Sequence, residues 1–438
     1  MASAVALKPP TRKVLSSSSP DILKRLIPEA LAIKYGGMVY DEARPCPGCG
    51  CEDATRYDMD DRIFCTTIVD GSFRPINVRV KRFKCSRCGG VFEGRSSFYD
   101  GCNNASLIVD LCLALASSNP YNRVESILMQ YGIQVDKCTI RNYAMRFHDR
   151  AMKYAGIPVM DDAKIGVNIL RILFGVDSVE ELKRRYPGKY DGVTDETYPR
   201  VKGAKKALAE ERYAKRVSEE RQPRFPDSFT LAASYLNNLK CFTSLSCRNA
   251  PFNGIVADAL AKPLKGADAI ITDGSECYDA IRDYRCLFHK MKNFSAVDPF
   301  IQRVKKSKEK LIPPWILSSH MHELYAFAKR EYERWLKENY PSLVDEQTGE
   351  FIGAMTTNVM EGGNWRIKYE LRADYQRDES IEARCILIAL RDSMKTFKNG
   401  MPEVSFASMN SEFEYGMIMG ATTMKETRGT MMIEARAA

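Results

Sequence analysis

Two pairs of closely spaced cysteines constrain the fold of this chain more than any other feature. Cys46 and Cys49 form one C-x-x-C pair, Cys85 and Cys88 form the other, and a glycine directly follows each pair. A C-x-x-C turn lets both thiolates face one ion, and the glycine lets the backbone approach the sulfur atoms closely. Two such turns predict a tetrahedral four-thiolate site with no open position, which binds one structural Zn2+.

β-type sequence separates the two pairs, so the expected element is a zinc ribbon over residues 44–95. Cys51 and Cys65 lie in the same stretch and are interpreted as non-ligands. The remaining cysteines are scattered singly. The spacing of the cysteines as a whole therefore indicates metal ligation in a reducing compartment rather than a disulfide framework. We therefore expect a cytoplasmic, nucleoid-associated protein.

Length and charge bound the possible partners. A chain of 438 residues is too long for one core, and its net charge of +9 suits a polyanionic partner better than an acidic one. The best apolar run, residues 107–116, is short and contains Asp110, so no membrane span is expected. The N-terminus lacks the pattern of a secretory signal.

Three helical stretches follow one another between Asn104 and Tyr154. Residues 132–135 join the second to the third, and Asp136 is well placed to cap the third helix. This pattern predicts a helix-turn-helix whose second helix enters the major groove of DNA, although a plain three-helix packing unit would share it. The side chains expected to face DNA are Lys137, Thr139, Arg141 and Asn142.

Three acidic residues occur where predicted strands end or a helix begins. Asp195 lies in the strand candidate YDGVTDETY, Asp273 ends the strand ADAIITDG, and Glu361 follows TTNVM at a helix start. In an open α/β sheet the carboxyl ends of strands form the ligand crevice. Carboxylates gathered there suit two divalent ions about 4 Å apart, which is what phosphodiester transfer requires.

The strings TDETYPRVKG, ITDGSECYDAI and TTNVMEGGNWRIK resemble the three catalytic blocks of DDE transposases with an RNase H-like fold. The likeness is closest to Mutator-type and related prokaryotic insertion-sequence transposases. That group carries a C-x-x-H pair after the second Asp, and Cys286 and His289 match it here, a predicted short helix beyond Asp273. The resemblance covers roughly residues 44–400, and the order of zinc ribbon, helix-turn-helix and catalytic core is also typical of the group.

The resemblance implies that Asp195, Asp273 and Glu361 bind two Mg2+ or Mn2+ ions, with Cys286 and His289 as supporting site residues. The implied activity is DNA cleavage and strand transfer. The implied partners are terminal inverted repeats, target DNA and further copies of the chain on DNA. The alternative function is an inactive or domesticated sequence-specific DNA-binding protein derived from a transposase; a nuclease or resolvase of the same fold is a third.

A charged helical segment at residues 204–224 departs from the family pattern, in which a hairpin follows the first Asp immediately. This departure leaves Asp191 and Asp227 open as alternatives to Asp195. Cys286 and His289 are interpreted as orienting a metal-bound carboxylate or contacting DNA, because no second Cys/His pair completes a zinc site. The basic run that begins at Lys290 is read equally as a phosphate contact or a solvated helix face.

The expected architecture is multidomain: a four-cysteine zinc ribbon, a helical helix-turn-helix module, and an α/β RNase H-like catalytic domain with a helical insertion. Within the catalytic domain, the sequence predicts a hairpin around Asn237 and Asn238, a helix over ECYDAIRDY, and a helical connection at residues 160–188. The expected domain limits are 1–43 for an N-terminal segment, 44–95 for the ribbon, 103–157 for the helix-turn-helix, 158–400 for the catalytic domain with its insertion at about 292–350, and 401–438 for a tail.

Overall fold

Two β-sheets, one in each of two units, organise the described part of the chain. The computed structural model describes residues 21–159, 164–197, 230–248, 253–273, 276–287, 289–290, 314–371, 378–394, 404–411 and 413. The first compact unit consists of Met1–Val109 with Tyr121–Ile140, and the second consists of Asp110–Pro120 with Arg141–Ala438. The domain limits given above stay a prediction.

The sheet of the first unit has the strand order β1-β3-β2-β5, and β4 also pairs with β3. Its strands are β1 (Val39–Tyr40), β2 (Ala54–Val69), β3 (Ser72–Cys85), β4 (Val91–Glu93) and β5 (Ile133–Gln134). The turn between β2 and β3 is Asp70-Gly71, and both residues have positive φ, 50° and 75°. Asp-Gly favours this two-residue turn because glycine, and to a lesser degree aspartate, tolerates the left-handed backbone. Helix α1 (Asp21–Tyr35) packs on this hairpin, where Tyr35 stacks on Phe64 with ring centroids 4.0 Å apart.

The three predicted helices between Asn104 and Tyr154 are confirmed. They are α2 (Ser106–Ala116), α3 (Tyr121–Gln130) and α4 (Lys137–Ala155). The predicted cap is confirmed as well, since Asp136 Oδ1 accepts hydrogen bonds from the backbone N–H groups of Cys138 and Thr139 at 2.8 and 3.0 Å. The connection between α3 and α4 is the strand β5, which pairs with β2. The turn of the predicted helix-turn-helix is therefore part of the cysteine-containing sheet.

The sheet of the second unit has the order β12-β11-β8-β9-β10-β7-β6. Its strands are β6 (Gly156–Pro158), β7 (Lys164–Asn168), β8 (Asp191–Thr197), β9 (Thr230–Leu236), β10 (Cys241–Arg248), β11 (Ala269–Thr272) and β12 (Tyr284–Arg285). β8, β11 and β12 run parallel, whereas β8 to β7 alternate in direction through β9 and β10. The predicted hairpin around Asn237 and Asn238 is confirmed as β9 and β10. Mixed α/β architecture is likewise confirmed.

Helices cover both faces of this central sheet. The helices that follow β7 are α5 (Ile169–Phe174), α6 (Val179–Arg185), α7 (Gly254–Ala261), α8 (Pro314–Asn339), α9 (Asn358–Leu371) and α10 (Asp378–Met394), of which α5, α7, α9 and α10 pack on the sheet. Ser234 and Ser244 donate hydrogen bonds to the Leu260 carbonyl on α7, at 3.1 and 2.6 Å. On the opposite face, the backbone N–H of Phe242 donates to Ser393 Oγ on α10 at 3.0 Å. Because both faces are covered, β9 and β10 are buried almost throughout.

One expectation about local structure is only partly right, and another is wrong. The connection at residues 160–188 contains the strand β7 as well as α5 and α6. The stretch ECYDAIRDY forms only a 3-10 turn, Glu276–Tyr278, before the chain joins the sheet as β12. Asp283 explains this, because its backbone N–H donates to the Ile270 carbonyl while its side chain accepts from the Ile270 N–H, at 3.0 and 2.7 Å. Pairing with β11 thus overrides the helical spacing of the sequence.

Several expectations fall on residues outside the described part of the chain. They are the charged segment at 204–224, the alternative ligand Asp227, residues 292–313 of the basic insertion and most of the tail. Helix α8 forms most of the described remainder of the insertion. Within the described ranges, no helix is both long and apolar enough to cross a membrane.

Candidate functional site

Four cysteine side chains meet at one end of the first unit's hairpin. The Sγ atoms of Cys46, Cys49, Cys85 and Cys88 all lie within 4.8 Å of one another. Two Sγ–Sγ distances connect the first C-x-x-C turn to the second: 3.5 Å between Cys49 and Cys85, and 3.6 Å between Cys46 and Cys88. The predicted four-cysteine cluster is confirmed, and this donor set could hold a metal ion such as Zn2+ with no position left open for water.

Each cysteine turn is built on a glycine in the left-handed region. Gly50 and Gly89 have φ of 70° and 71°, and their N–H groups donate to the carbonyls of Cys46 and Cys85, at 2.8 and 3.0 Å. These bonds close the two turns and explain the glycine after each pair. Backbone N–H groups of Cys88 and then Arg87 outweigh burial and lower the pKa of the Cys85 thiol.

Three carboxylates form a second cluster, at the carboxyl edge of the central sheet. Oxygens of Asp195, Glu196 and Asp273 all lie within 4.8 Å of one another. The register of the parallel pair β8 and β11 aligns Ile271 with Val193, and continuing it by two residues brings Asp273 beside Asp195. Two of the predicted acidic residues therefore meet because neighbouring parallel strands end at the same edge.

Glu196 was not among the predicted site residues. Successive strand residues face opposite sides of a sheet, so strand alternation alone would direct Glu196 away from Asp195. At the strand end its longer side chain reaches the same edge, where the buried hydroxyl of Tyr278 donates a hydrogen bond to its carboxylate. Burial and then the charge of Glu196 raise the pKa of Tyr278, so this phenol stays protonated as a donor. In the sequence, the position of Glu196 directly after Asp195 was the one signal that it could belong to the site.

Asp191 is not a member of the acidic cluster found among the described residues. It begins β8, four residues or about 13 Å before Asp195. Its carboxylate accepts hydrogen bonds from the Asn237 side chain at 3.0 Å and from the Ala354 backbone at 2.7 Å. Burial outweighs these bonds and raises its pKa above the ordinary value. Asp191 thus ties the loop before α9 to the sheet.

Glu361 is the fourth residue of α9, and its backbone is fixed on both sides. Before it, the Thr357 backbone and hydroxyl donate to Cys286 Sγ at 3.3 and 3.5 Å. After it, Gly363 lies against Phe242, so closely that an added Cβ would come within 3.1 Å of the ring. α9 also packs against β8 and β9. The helix that carries Glu361 therefore crosses the central sheet near the strand of Asp195.

Cys286 and His289 follow the strand β12 and not the short helix expected from the sequence. The Cys286 N–H donates to the Thr272 carbonyl at 2.8 Å, so this cysteine lies beside the end of the Asp273 strand. Its buried thiol holds Thr357, and the next N–H, from Leu287, donates to Met355 at 2.9 Å. Cys286 thus fixes the start of α9, while His289 is half-buried one helical turn further on.

Replacing Cys286 by alanine is expected to lower the DNA cleavage that the sequence resemblance implies, without changing zinc content. Thr357 would lose the acceptor of its N–H and hydroxyl, and an unsatisfied buried donor costs about 1–3 kcal/mol. Serine keeps an acceptor and should restore part of the activity. Cys112→Ala, at another fully buried thiol on α2, is the matched control for lost packing. Equal activity of the Cys286 and Cys112 variants, or loss of one zinc equivalent from the former, would contradict a positioning role.

The residues expected to face DNA differ in exposure along α4. Lys137 and Asn142 are exposed, whereas Thr139 and Arg141 are partly buried. The hydroxyl of Thr139 donates to Asp136, so it serves the helix cap. The start of α4 thus presents a lysine and an asparagine to solvent, and their contact with DNA stays a prediction.

Comparison with known proteins adds no family assignment. No protein-family model matches the chain, and no curated protein matches it. A functional assignment must therefore be argued from the residues and geometry of the two clusters.

Proposed function

We propose that this chain is a DNA transposase whose central sheet is an RNase H-like catalytic core. The observation that carries the proposal is the meeting of Asp195 and Asp273 at the carboxyl edge of that sheet. The central strand β8 is flanked by antiparallel β9 on one side and parallel β11 on the other, an arrangement consistent with such a core. The covering helix α9, which bears Glu361, supplies the third acidic position.

The two carboxylates that meet are suited to divalent cations. Like charges this close repel one another, and an oxygen donor set of this kind is what Mg2+ and Mn2+ prefer. Asp195, Asp273 and Glu361 would hold the ions, with Glu196 as a neighbouring oxygen donor. Divalent ions, when bound, would stabilise charge on the attacking and leaving oxygens of a phosphodiester.

The protein's own part in the reaction would be to hold the acidic side chains in fixed positions around the ions. The strand ends would keep Asp195 and Asp273 in fixed positions, and the contacts of Cys286 would keep α9 above them. In the first step water adds to phosphorus and the 3′-oxygen leaves, giving a 3′-hydroxyl. In the second step that hydroxyl attacks a target phosphodiester and displaces the 3′-oxygen of the target strand, which leaves as a new 3′-hydroxyl, so one site would serve both in-line displacements.

DNA binding belongs to the same proposal. The net charge of +9 and the exposed residues at the start of α4 favour a polyanionic partner. The partners would be the terminal inverted repeats, target DNA and further copies of the chain assembled on them. The alternative is a DNA-binding protein that has lost its chemistry; against it, Asp195 and Asp273 are both present and adjacent.

A joining assay tests the proposed function directly. The full-length, zinc-loaded protein is incubated with DNA ending in the inverted repeats that flank its reading frame, with a plasmid target and Mg2+ or Mn2+. We expect nicks with 3′-hydroxyl ends and joined products, both abolished by EDTA. Specific binding without cleavage in either metal would favour the inactive DNA-binding protein. Cleavage without joined products would favour a nuclease.

A further inference from the structure

One buried asparagine in α9 lacks, within the described part of the chain, the hydrogen bonds that its burial requires. Asn364 is 2% exposed, and neither its Nδ2 nor its Oδ1 has a hydrogen-bond partner among the described residues. Two other buried asparagines of the same unit are bonded: Asn168 donates to the Asp177 carbonyl and Asn410 to Asp110, both at 2.9 Å. A buried amide with both ends unsatisfied is destabilising, so such a group calls for a partner that the described residues do not provide.

The position of Asn364 in α9 indicates where that partner binds. Three residues of a helix turn by about 300°, so Asn364 lies about 60° from Glu361 around the axis of α9 and one turn further along it. Its neighbour Gly363 contacts Phe242, whose ring packs edge-on against Tyr235 at 5.1 Å. Tyr235 is paired with Val193 and therefore lies on the sheet face of Asp195. The buried amide thus belongs to the side of α9 that covers the acidic strand.

A hydrated divalent cation has the chemistry that an orphaned amide needs. Mg2+ and Mn2+ keep several waters when bound by few carboxylates, and each water is a hydrogen-bond donor. The ligating carboxylates in turn accept hydrogen bonds from neighbouring groups. An asparagine offers both functions, with Oδ1 accepting from a metal-bound water and Nδ2 donating to a carboxylate.

We propose that Asn364 is a positioning residue of the divalent-metal centre, with its carboxamide hydrogen-bonded to the water and carboxylate shell of a bound ion. This inference rests on the proposed function, because it assumes that the acidic cluster binds divalent cations. It adds a group outside the three acidic positions. It also gives a physical reason for a buried polar residue on a helix whose other described buried residues, Ile367 and Leu371, are apolar.

Replacing Asn364 by leucine is expected to move stability and metal affinity in opposite directions. Removing an unsatisfied amide should raise the Tm of the metal-free protein by about 2–4 °C. The same change should weaken Mn2+ binding about 10–100-fold, the usual effect of losing a hydrogen bond to a metal's ligand shell. Calorimetry of the full-length, zinc-loaded protein and a Mn2+ titration followed by electron paramagnetic resonance measure the two quantities. Asn364→Ala repeats the affinity test if leucine fits poorly.

Thr243→Val is the matched control. Thr243 lies on β10, fully buried, and its hydroxyl also lacks a hydrogen-bond partner in the described ranges. Valine should raise the Tm similarly and leave Mn2+ affinity unchanged. Subtracting the titration of Asp273→Asn isolates binding at the acidic cluster. If the wild type binds Mn2+ there and Asn364→Leu and Asn364→Ala bind it equally well, the inference is overturned and the proposed function stands. If the wild type binds none there, the proposed function itself fails.

Discussion

Asp273→Asn is expected to abolish both cleavage and joining while leaving the binding of DNA ends nearly unchanged. Asp273 lies beside Asp195 at the edge where the ions would bind, and an amide cannot replace the charge of a carboxylate that would hold them. The loss should be on the order of a thousand-fold or more, and combining it with Asp195→Asn or Glu361→Gln should add little, because one missing ligand already disables the site. Rates of nicking in Mg2+ and gel-shift binding to end DNA measure the two effects.

Stability provides a second readout for the same variant. Asp195, Glu196 and Asp273 repel one another in the metal-free protein. Removing one negative charge from this cluster should therefore leave the Tm unchanged or raise it slightly. Asp258→Asn, at an exposed position of α7, is the matched control and should keep full activity. Wild-type activity in each of the single variants Asp195→Asn, Asp273→Asn and Glu361→Gln would contradict the metal-dependent mechanism. Loss of activity through unfolding would be revealed by a lowered Tm.

Cys85→Ser is expected to unfold the ribbon and leave the second unit folded. Four thiolates that close around Zn2+ contribute metal-binding free energy directly to folding, about 10–16 kcal/mol in small zinc domains. Cys85 ends β3 and is buried, so its loss opens the site at the base of the hairpin. Metal analysis should show zinc falling from one equivalent toward zero, and hydrogen exchange should show loss of protection confined to residues of the first unit.

Cys51→Ser is the control for the zinc experiment. Cys51 adjoins the first C-x-x-C turn but is outside the four-cysteine cluster, and its thiol is directed to the Asp53 carbonyl at 3.8 Å. Its replacement should keep one zinc equivalent and the protection of β2 and β3. A zinc-free protein that remains folded over residues 44–95 would refute the structural role of the metal.

Local signals made the cysteine site predictable from the sequence. Each C-x-x-C turn is followed by the glycine with positive φ that its geometry requires. The pattern can therefore be recognised in the sequence without knowledge of the rest of the fold. Asp273 was predictable for a related reason, since a short apolar strand that ends in Asp-Gly places its last side chain at a sheet edge. The proximity of Asp195 then follows from parallel pairing.

Features that depend on distant partners were not predictable. Strand alternation predicts that the Glu196 side chain lies on the sheet face opposite Asp195. It does not predict that, at the end of the strand, the carboxylate accepts a hydrogen bond from Tyr278 and lies at the sheet edge. The helix expected over ECYDAIRDY was lost to pairing between Asp283 and Ile270. The role of Cys286 could not be predicted because it depends on a contact with Thr357, which is 71 residues away along the chain.

The short strand β5 has a consequence for how DNA recognition can be dissected. The residues that lead into α4, Ile133 and Gln134, pair in antiparallel register with Thr67 and Thr66 of the long hairpin. The start of α4, the helix predicted to contact DNA, therefore follows a strand that pairs with β2, and the other end of β2 lies beside the cysteine cluster. A truncated protein that begins after the hairpin would retain α3 and α4 but lose the template for the connection between them. The smallest fragment suited to testing DNA binding should start ahead of Ala54. We expect chelation of zinc to weaken the proposed DNA binding, because β2 connects the cysteine cluster to the start of α4.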